Sequence, residues 1–556
     1  MELTARRAQF WRRHRLLTWV GGVLLLALGV LTAVVLIVTR RVEPLLRAQI
    51  VKGLENHFHA RVELDSFHVT LRNGLWAEGT GLRIWPPGTE TAGSEMPLIR
   101  LAEFRFHAPL EFKPGQAIRI SVVQLKGLEV DVPPRSHFAH DAKAAKGAAG
   151  DDTWPTKAAM GLLRLNVARI ECSEAHLTVE TSKPGKLPLE FAIAHLKMTG
   201  IGGGGAMGFE AELTNPRPVG TIYTSGKFGP WVVSDPGETP LTGEYRFEHA
   251  DLSGFSGIAG ILSSTGHYAG TLREITVDGE TDTPDFRLTH FGTALGLHTK
   301  FHARVDGTNG DTWLEPVEAT LGSSHLWAQG QVVRVAAGAN GVGAGGHDIA
   351  LMVNVNRGRI EDFLRLASGS GTPLLTGALR MKADLDISPG PAPVDERMKL
   401  KGTFALDDAQ FTSAKIQDRV AELSARGLGR PSDAKNGGQI GVRSTMSGNF
   451  AMADGVVRLP ALKYTVPGAV IDLKGSYGVD DGTLNFAGSA KTEATVSAMV
   501  GGWKGFLLKP LDRYFQKDGA GTEVPIHIDG TRENPQFGID FSRMKGSSDE
   551  RPDEPK

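Results

Sequence analysis

The feature that most constrains this chain is an alternation of apolar and polar residues, with period two, that recurs from about Arg61 almost to the end. Leu379, Met381, Ala383, Leu385 and Ile387 alternate with Arg380, Lys382, Asp384 and Asp386. Successive side chains of a strand point to opposite faces, so this run puts every apolar group on one face and every charge on the other. The pattern returns in Leu128, Val130 and Val132, in Phe301, Ala303 and Val305, and in Ile349, Leu351, Val353 and Val355. It returns again in Met398, Leu400, Phe404 and Leu406, and in Val524, Ile526 and Ile528. About three dozen strands stacked at ~4.8 Å would reach roughly 170 Å as one sheet, an upper bound because real sheets curl.

Turn signals punctuate these runs. Asn73-Gly74, Asp278-Gly279, Asp306-Gly307, Asn309-Gly310, Asp454-Gly455, Asp481-Gly482 and Asp529-Gly530 supply the positive φ angles of tight hairpins, which predicts mostly antiparallel neighbours. The 69 glycines suit many turns and close-packed strands. Helical spacing is confined to Arg359–Leu366 and to Val496–Leu508, where Met499, Val500, Trp503 and Leu507 share a face until Pro510. Strands and helices do not alternate regularly, which argues against an α/β enzyme fold. Low-complexity breaks at Ala139–Lys157, Ala336–Gly346 and Arg430–Gly438 read as loops. One continuous sheet and two or three successive β units fit this string equally well.

The amino-terminal part obeys a different rule. Leu16 to Thr39, with Leu16, Trp19, Leu24, Leu31 and Val38 along it, contains no charge and is long enough to cross a ~30 Å hydrocarbon core as a helix. Arg6, Arg7, Arg12, Arg13 and Arg15 precede it and only Arg40 and Arg41 follow, which predicts a cytoplasmic amino terminus and an exported remainder. A cleaved signal peptide fits less well, because the apolar run exceeds an h-region of ~7–15 residues. Residues 1–15 are then a basic cytoplasmic segment, 16–39 a single-pass anchor in an inner membrane, and 40–58 a juxtamembrane helix. In that helix Val42, Leu46, Ile50 and Leu54 recur every four residues, flanked by Leu45 and Val51, with Pro44 at its start. Its apolar stripe suits packing on the end of the following β structure, with the membrane surface as the alternative. Residues 59–545 form the β-rich periplasmic region, and the charged tail 546–556 has the composition of disorder.

Motifs that carry chemistry are absent or misplaced. Gly341-x-Gly343-x-x-Gly346 leads into the strand-like His347–Val355 rather than a helix whose amino terminus would hold a pyrophosphate. Asp306–Asp311 lacks the spacing and terminal Glu of a calcium loop and reads as a hairpin turn. His57 and His59 have no evident third ligand, and the lone Cys172 excludes an intrachain disulfide and reads as buried. Neither a P-loop, a nucleophile elbow nor a zinc-protease motif occurs, and no carboxylate pair stands out. A formal net charge of -1 disfavours nucleic acid as a partner. The expectation is a protein without catalytic residues, cofactor or metal; aromatic content of 7% argues mildly against a carbohydrate-active alternative.

Several segments, in order, resemble the AsmA-like family of envelope proteins. His59–Leu71 (HARVELDSFHVTL) looks like the family's opening, and Ile118–Val132 (IRISVVQLKGLEVDV) is similar to its recurring strand pair. Leu508-Lys-Pro-Leu511 and Val524–Phe537, with a Gly-Thr turn and a Pro-x-Phe element, resemble its carboxy-terminal region. The resemblance covers most of residues 16–541. It implies a mainly β fold: a transmembrane helix, then an elongated, curled antiparallel sheet, groove-like, with a few short amphipathic helices. It further implies a non-enzymatic role in shielding or transferring phospholipid acyl chains in support of outer-membrane biogenesis. The groove candidates are then Leu128, Val130, Val132, Phe301, Val305, Ile349, Leu351, Val353, Leu379, Met381, Leu385, Ile387, Leu400, Phe404, Ile526 and Ile528. The alternative is an envelope scaffold or assembly factor for outer-membrane proteins, whose apolar face would be packed shut. Alternation alone does not separate a sandwich core from a groove.

Overall fold

The structure, a computed structural model, describes scattered positions within 26–55 and then residues 61–71, 75–85, 97–108, 119–132, 166–179, 188–201, 205–216, 218–230, 232, 236–289, 293–336, 345–367, 372–431, 442–479, 481–500 and 521–539. The anchor positions Leu16, Trp19, Leu24, Leu31 and Val38, the pair His57 and His59, the Leu508–Leu511 element and the tail lie outside the described residues. No described helix is long and apolar enough to cross a membrane.

Among the described residues the protein is mainly β, with 26 strands and few helices. Many of these strands run long: Glu274–Leu288 alone spans 15 residues, against a usual ~5–6. The chain divides into two compact units, Met1–Glu180 with Glu190–Glu212 and Lys227–Thr239, and Thr181–Leu189 with Leu213–Gly226 and Pro240–Lys556.

The first unit contains β1 (Val62–Glu63), β2 (Ser66–Leu71), β3 (Leu75–Ile84), β4 (Ile99–Ala108), β5 (Arg119–Ile120), β6 (Val123–Val132) and β7 (Asn166–Val179). The strands β8 (Leu189–Ile201), β9 (Met207–Pro216) and β10 (Val219–Phe228) are divided between the units. Strands β1 to β4 and β6 pair antiparallel, but β6 pairs with β7 in parallel, Val123 opposite Ile170 and Val130 opposite Leu177. β5 pairs with β7 in parallel as well, Arg119 opposite Asn166, so the antiparallel expectation does not hold around β7. Leu64, Phe67, Val69 and Ala77 form the core with Phe104 and Phe106 beside them. Val51 and Leu54, both helical, pack against Val62 and Ile84, so the described part of the juxtamembrane helix rests on the end of this β structure.

The second unit contains β11 (Pro240–Asp251), β12 (Ile258–Ala259), β13 (Ile261–Thr271), β14 (Glu274–Leu288), β15 (Leu295–Val305), β16 (Thr312–Leu321), β17 (Ser324–Val335) and β18 (Gly346–Arg359). Then follow α1 (Ile360–Ala367), β19 (Leu375–Ile387), α2 (Val394–Arg397), β20 (Met398–Phe411), α3 (Ala414–Gly427), β21 (Ser444–Ala453) and β22 (Val456–Val466). The last elements are β23 (Ala469–Gly478), β24 (Leu484–Thr492), α4 (Val496–Val500), β25 (Thr522–Gly530) and β26 (Pro535–Ile539). From β13 onward each strand pairs antiparallel with its successor, and β11 pairs with β13. Register shifts interrupt many of these pairs, for example at Thr283/Phe286, Leu314/Val317 and Val355/Gly358. Such bulges bend a strand and raise its twist.

Asp306-Gly307, Asn309-Gly310, Asp454-Gly455 and Asp481-Gly482 lie between paired strands, Asp529-Gly530 ends β25 just before its turn, and Asn73-Gly74 is outside the described residues. Asp454 and Gly455, at φ 53° and 68°, close the β21–β22 hairpin. Asp306, Asn309 and Asp311 build the β15–β16 turn by bonding to one another's chain: the Asp306 carboxylate accepts from Thr308 N at 2.9 Å and Asn309 Nδ2 at 2.7 Å. Asp278-Gly279 is no turn. It lies in the middle of β14, where the missing Cβ makes room for rings from neighbouring strands: a Cβ on Gly279 would stand 2.5 Å from Tyr245 Oη and 2.9 Å from Phe301 Cζ. Gly346 opens a strand, which removes the phosphate-loop reading.

Candidate functional site

Register turns the individual apolar faces into one. Leu314 opposes Gly330, Gly330 opposes Leu351, Leu351 opposes Leu385, Leu385 opposes Leu400, and Leu400 opposes Met452. A second row runs Ala328, Val353, Ala383, Gly402, Phe450, and a third Leu326, Val355, Met381, Phe404, Gly448, Leu462, Leu473, Gly488, Ile526. Directly opposed residues of an antiparallel pair lie on the same face, so these rows are an inner apolar surface shared by β16 to β25. The opposite face carries the charges: Lys401 opposes Asp384 with Nζ 3.9 Å from a carboxylate oxygen, and Arg380 reaches Asp407 at 2.7 Å. These pairs are at least half exposed and contribute little to stability.

The inner face is covered at one end of the strands. Ile360, Phe363 and Leu364 of α1 pack over Val355, Leu379 and Leu406, which are 1–2% exposed. On α3, Val420 and Leu423 pack over Tyr464, Ala469 and Ile471. This helix is also pinned by polar contacts, Ser424 Oγ donating to Pro467 O at 2.8 Å and Ala494 N to Gly427 O at 2.9 Å. A Cβ on Gly427 would stand 2.4 Å from Gly468 O, so glycine is what lets the helix end touch the β22–β23 turn. α1 reaches back toward β14 and β15, its Arg365 carbonyl accepting from Thr293 N at 3.1 Å. Between β19 and β20 the connection through α2 meets the turn after β11, Val394 N donating to Ser256 O at 2.9 Å. Away from the helices the face is not sealed: Ile349, Leu351, Val353, Leu385 and Leu400 are only half-buried. Apolar surface left in this state is unfavourable in water, and extended patches of it mark binding sites.

One polar group under α3 is unsatisfied. Tyr464 Oη is buried and makes no hydrogen bond of good geometry among the described residues; the Ser444 hydroxyl beside it donates to Ala409 O at 2.6 Å. Burial raises this phenol above its ordinary 10.0, moderated by Ser444. With the folded value above the unfolded one, the neutral phenol is tolerated below pH 10 and stability is lost as pH rises through the folded value. Tyr464→Phe is therefore expected to unfold no earlier than wild type at pH 7, by a gain of up to about 1 kcal/mol, and to decline less steeply above pH 10. Thermal melts of both proteins across that range check it; a clearly destabilised variant would show that the hydroxyl has a partner.

The sequence-predicted residues all fall on strands where described. Leu128 and Val130 lie on β6 in the first unit, and the side chain of Val132 is outside the described set. Phe301 and Val305 lie on β15, Ile349, Leu351 and Val353 on β18, and Leu379, Met381, Leu385 and Ile387 on β19. Leu400, Phe404, Ile526 and Ile528 complete the inner face on β20 and β25. Leu379 and Ile387 are buried, which makes them core rather than open surface. Sequence reading missed α3, although Ile416, Val420 and Leu423 at helical spacing ahead of Gly427 and Gly429 signal it. A depression of about 670 Å³ in the first unit has a mixed lining, with Glu78, Glu103, Arg105, Lys126 and Glu171 beside Phe104 and Leu125. Among the described residues no three His, Cys, Asp or Glu side chains are placed to share a metal ion.

No protein-family model, no curated protein and no solved structure matches this chain.

Proposed function

We propose that this chain is a membrane-tethered carrier whose inner β face shields phospholipid acyl chains, with no covalent chemistry. The observation that carries it is the apolar surface running in register from β16 to β25, half-buried at Leu351, Leu385 and Leu400 and packed by α1 and α3 toward one end of the strands. Acyl chains are a fitting occupant because they satisfy dispersion contacts without asking for hydrogen bonds that this face lacks. The apolar run Leu16–Thr39 supplies the tether, with the β region in the periplasm and the groove serving traffic toward an outer membrane. The resemblance to AsmA-like proteins agrees with this reading.

Native mass spectrometry of the full chain, with extraction of bound lipid, tests it. Copurifying phospholipids, released only on unfolding, are the expected result; a folded, lipid-free protein sinks the reading. One observation favours a second role as an envelope scaffold. Among the described residues β26 pairs with β25 alone, and Phe537 on it is 59% exposed, so this edge can accept an added strand. The lipid-free outcome would leave that role in place.

A further inference from the structure

The inner face of the second unit is not chemically uniform. Across β18 to β25 leucine, valine and isoleucine prevail, with Phe404, Phe450, Tyr464 and Phe486 among them, whereas around Tyr245 and Tyr268, on β11 and β13, the face is built from glycines, aromatic rings and hydroxyls. Tyr245 opposes Gly266, Gly266 opposes Gly279, and Gly279 opposes Phe301; one strand position along, Gly243 opposes Tyr268. The rings lie down on the glycines, since a Cβ on Gly266 would meet the Tyr245 ring at 2.8 Å and one on Gly243 the Tyr268 Oη at 2.6 Å. The charges of these strands, Glu244, Arg246, His267, Asp278 and Lys300, occupy the alternate positions and so the other face.

The hydrogen-bond directions can be assigned. Thr224 Oγ1 donates its proton to Glu244 O at 2.9 Å, so at the 2.7 Å contact with Tyr268 Oη the phenol is the donor. Ser264 Oγ donates to Glu280 O at 3.0 Å, so at its 3.1 Å contact Tyr245 Oη is again the donor. Burial holds both phenols above their ordinary range, so they stay neutral. Both phenol protons are thus committed to the sheet, and what the two rings offer an occupant is oxygen lone pairs. An acceptor surface with no charge recognises a donor with no charge: a buried ion there would find no counter-charge.

We propose that this strip receives the polar end of an uncharged, hydroxyl-bearing lipid whose chains lie along the aliphatic strands. The proposal rests on the lipid-carrier reading and narrows it: phospholipids are held by their chains alone, and a lipid with an uncharged hydroxyl head binds more tightly because the strip also holds its head. The test uses the full chain with two probes of identical chains, dioleoylglycerol and its 3-acetate, which lacks the donor. Wild type is expected to bind the free alcohol about fivefold more tightly, the contribution of one net hydrogen bond. Tyr245→Phe/Tyr268→Phe keeps the rings on their glycines and is expected to bind both probes with the affinity wild type has for the acetate. Equal binding of the two probes by wild type, a preference retained in the double variant, or tighter binding of dioleoyl phosphatidic acid would each overturn the proposal. Failure of wild type to bind any of the three lipids would instead overturn the acyl-chain reading beneath it.

Discussion

Leu385→Asp is expected to reduce lipid bound to the purified protein at least tenfold while leaving the fold intact. Leu385 stands between Leu351 and Leu400 in the register of β18, β19 and β20 and is half-buried, away from the helix-covered core. A carboxylate there projects into the space assigned to acyl chains, where its desolvation without a partner costs several kcal/mol, whereas in the empty protein it still reaches water. Leu351→Asp is the equivalent change one strand away and carries the same expectation. Lys401→Asp, on the opposite face, serves as the control and is expected to bind as wild type. Lipid extraction with a thermal melt on each variant separates binding from folding. A folded Leu385→Asp protein that keeps its full lipid complement would remove this position from the groove.

The largest stability effect is expected at Asp362. This carboxylate is 3% exposed and accepts from Ser323 N at 3.0 Å, Ser323 Oγ at 2.8 Å and Ser324 Oγ at 2.7 Å, tying α1 to the β16–β17 turn. Asp362→Ala leaves both Ser323 donors unanswered and the fully buried Ser324 hydroxyl with only its 3.4 Å contact to Arg359 O, and is expected to cost about 3 kcal/mol. The loss should be local before it is global, because α1 covers Val355, Leu379 and Leu406 and its detachment opens that end of the face. Hydrogen exchange across Ile360–Ala367, with the denaturation midpoint, reads both effects. Wild-type protection of α1 in the variant would mean that its apolar contacts alone hold it.

Much of the fold was legible because the physical signal was local. Alternation in Leu379–Ile387 and in Met398–Leu406 depends on nothing but strand geometry, and both runs are strands with the predicted faces. The Asp278-Gly279 pair misled because its glycine answers a non-local demand, the rings of Tyr245 and Phe301 on adjacent strands. The helix α3 was hidden by its charged surface, Lys415, Asp418, Arg419, Glu422 and Arg426 among few apolar residues. The parallel β6–β7 pair carries no local mark at all, since a strand does not record its partner's direction. For the candidate site, the sequence supplied the apolar residues but not which are covered. Leu379 and Leu385 look alike in the alternating pattern, and only the placement of α1 makes one core and the other open.

The central claim, that acyl chains lie on one face of the β18–β20 region, is tested most directly by photocrosslinking in living cells. A benzophenone side chain is placed at Leu400, on the inner face, or at Lys401, its neighbour on the outer face, and adducts are identified by mass spectrometry. The account predicts lipid adducts through acyl carbons at Leu400 and none at Lys401. Equal labelling at both positions, or protein adducts alone at Leu400, would contradict it.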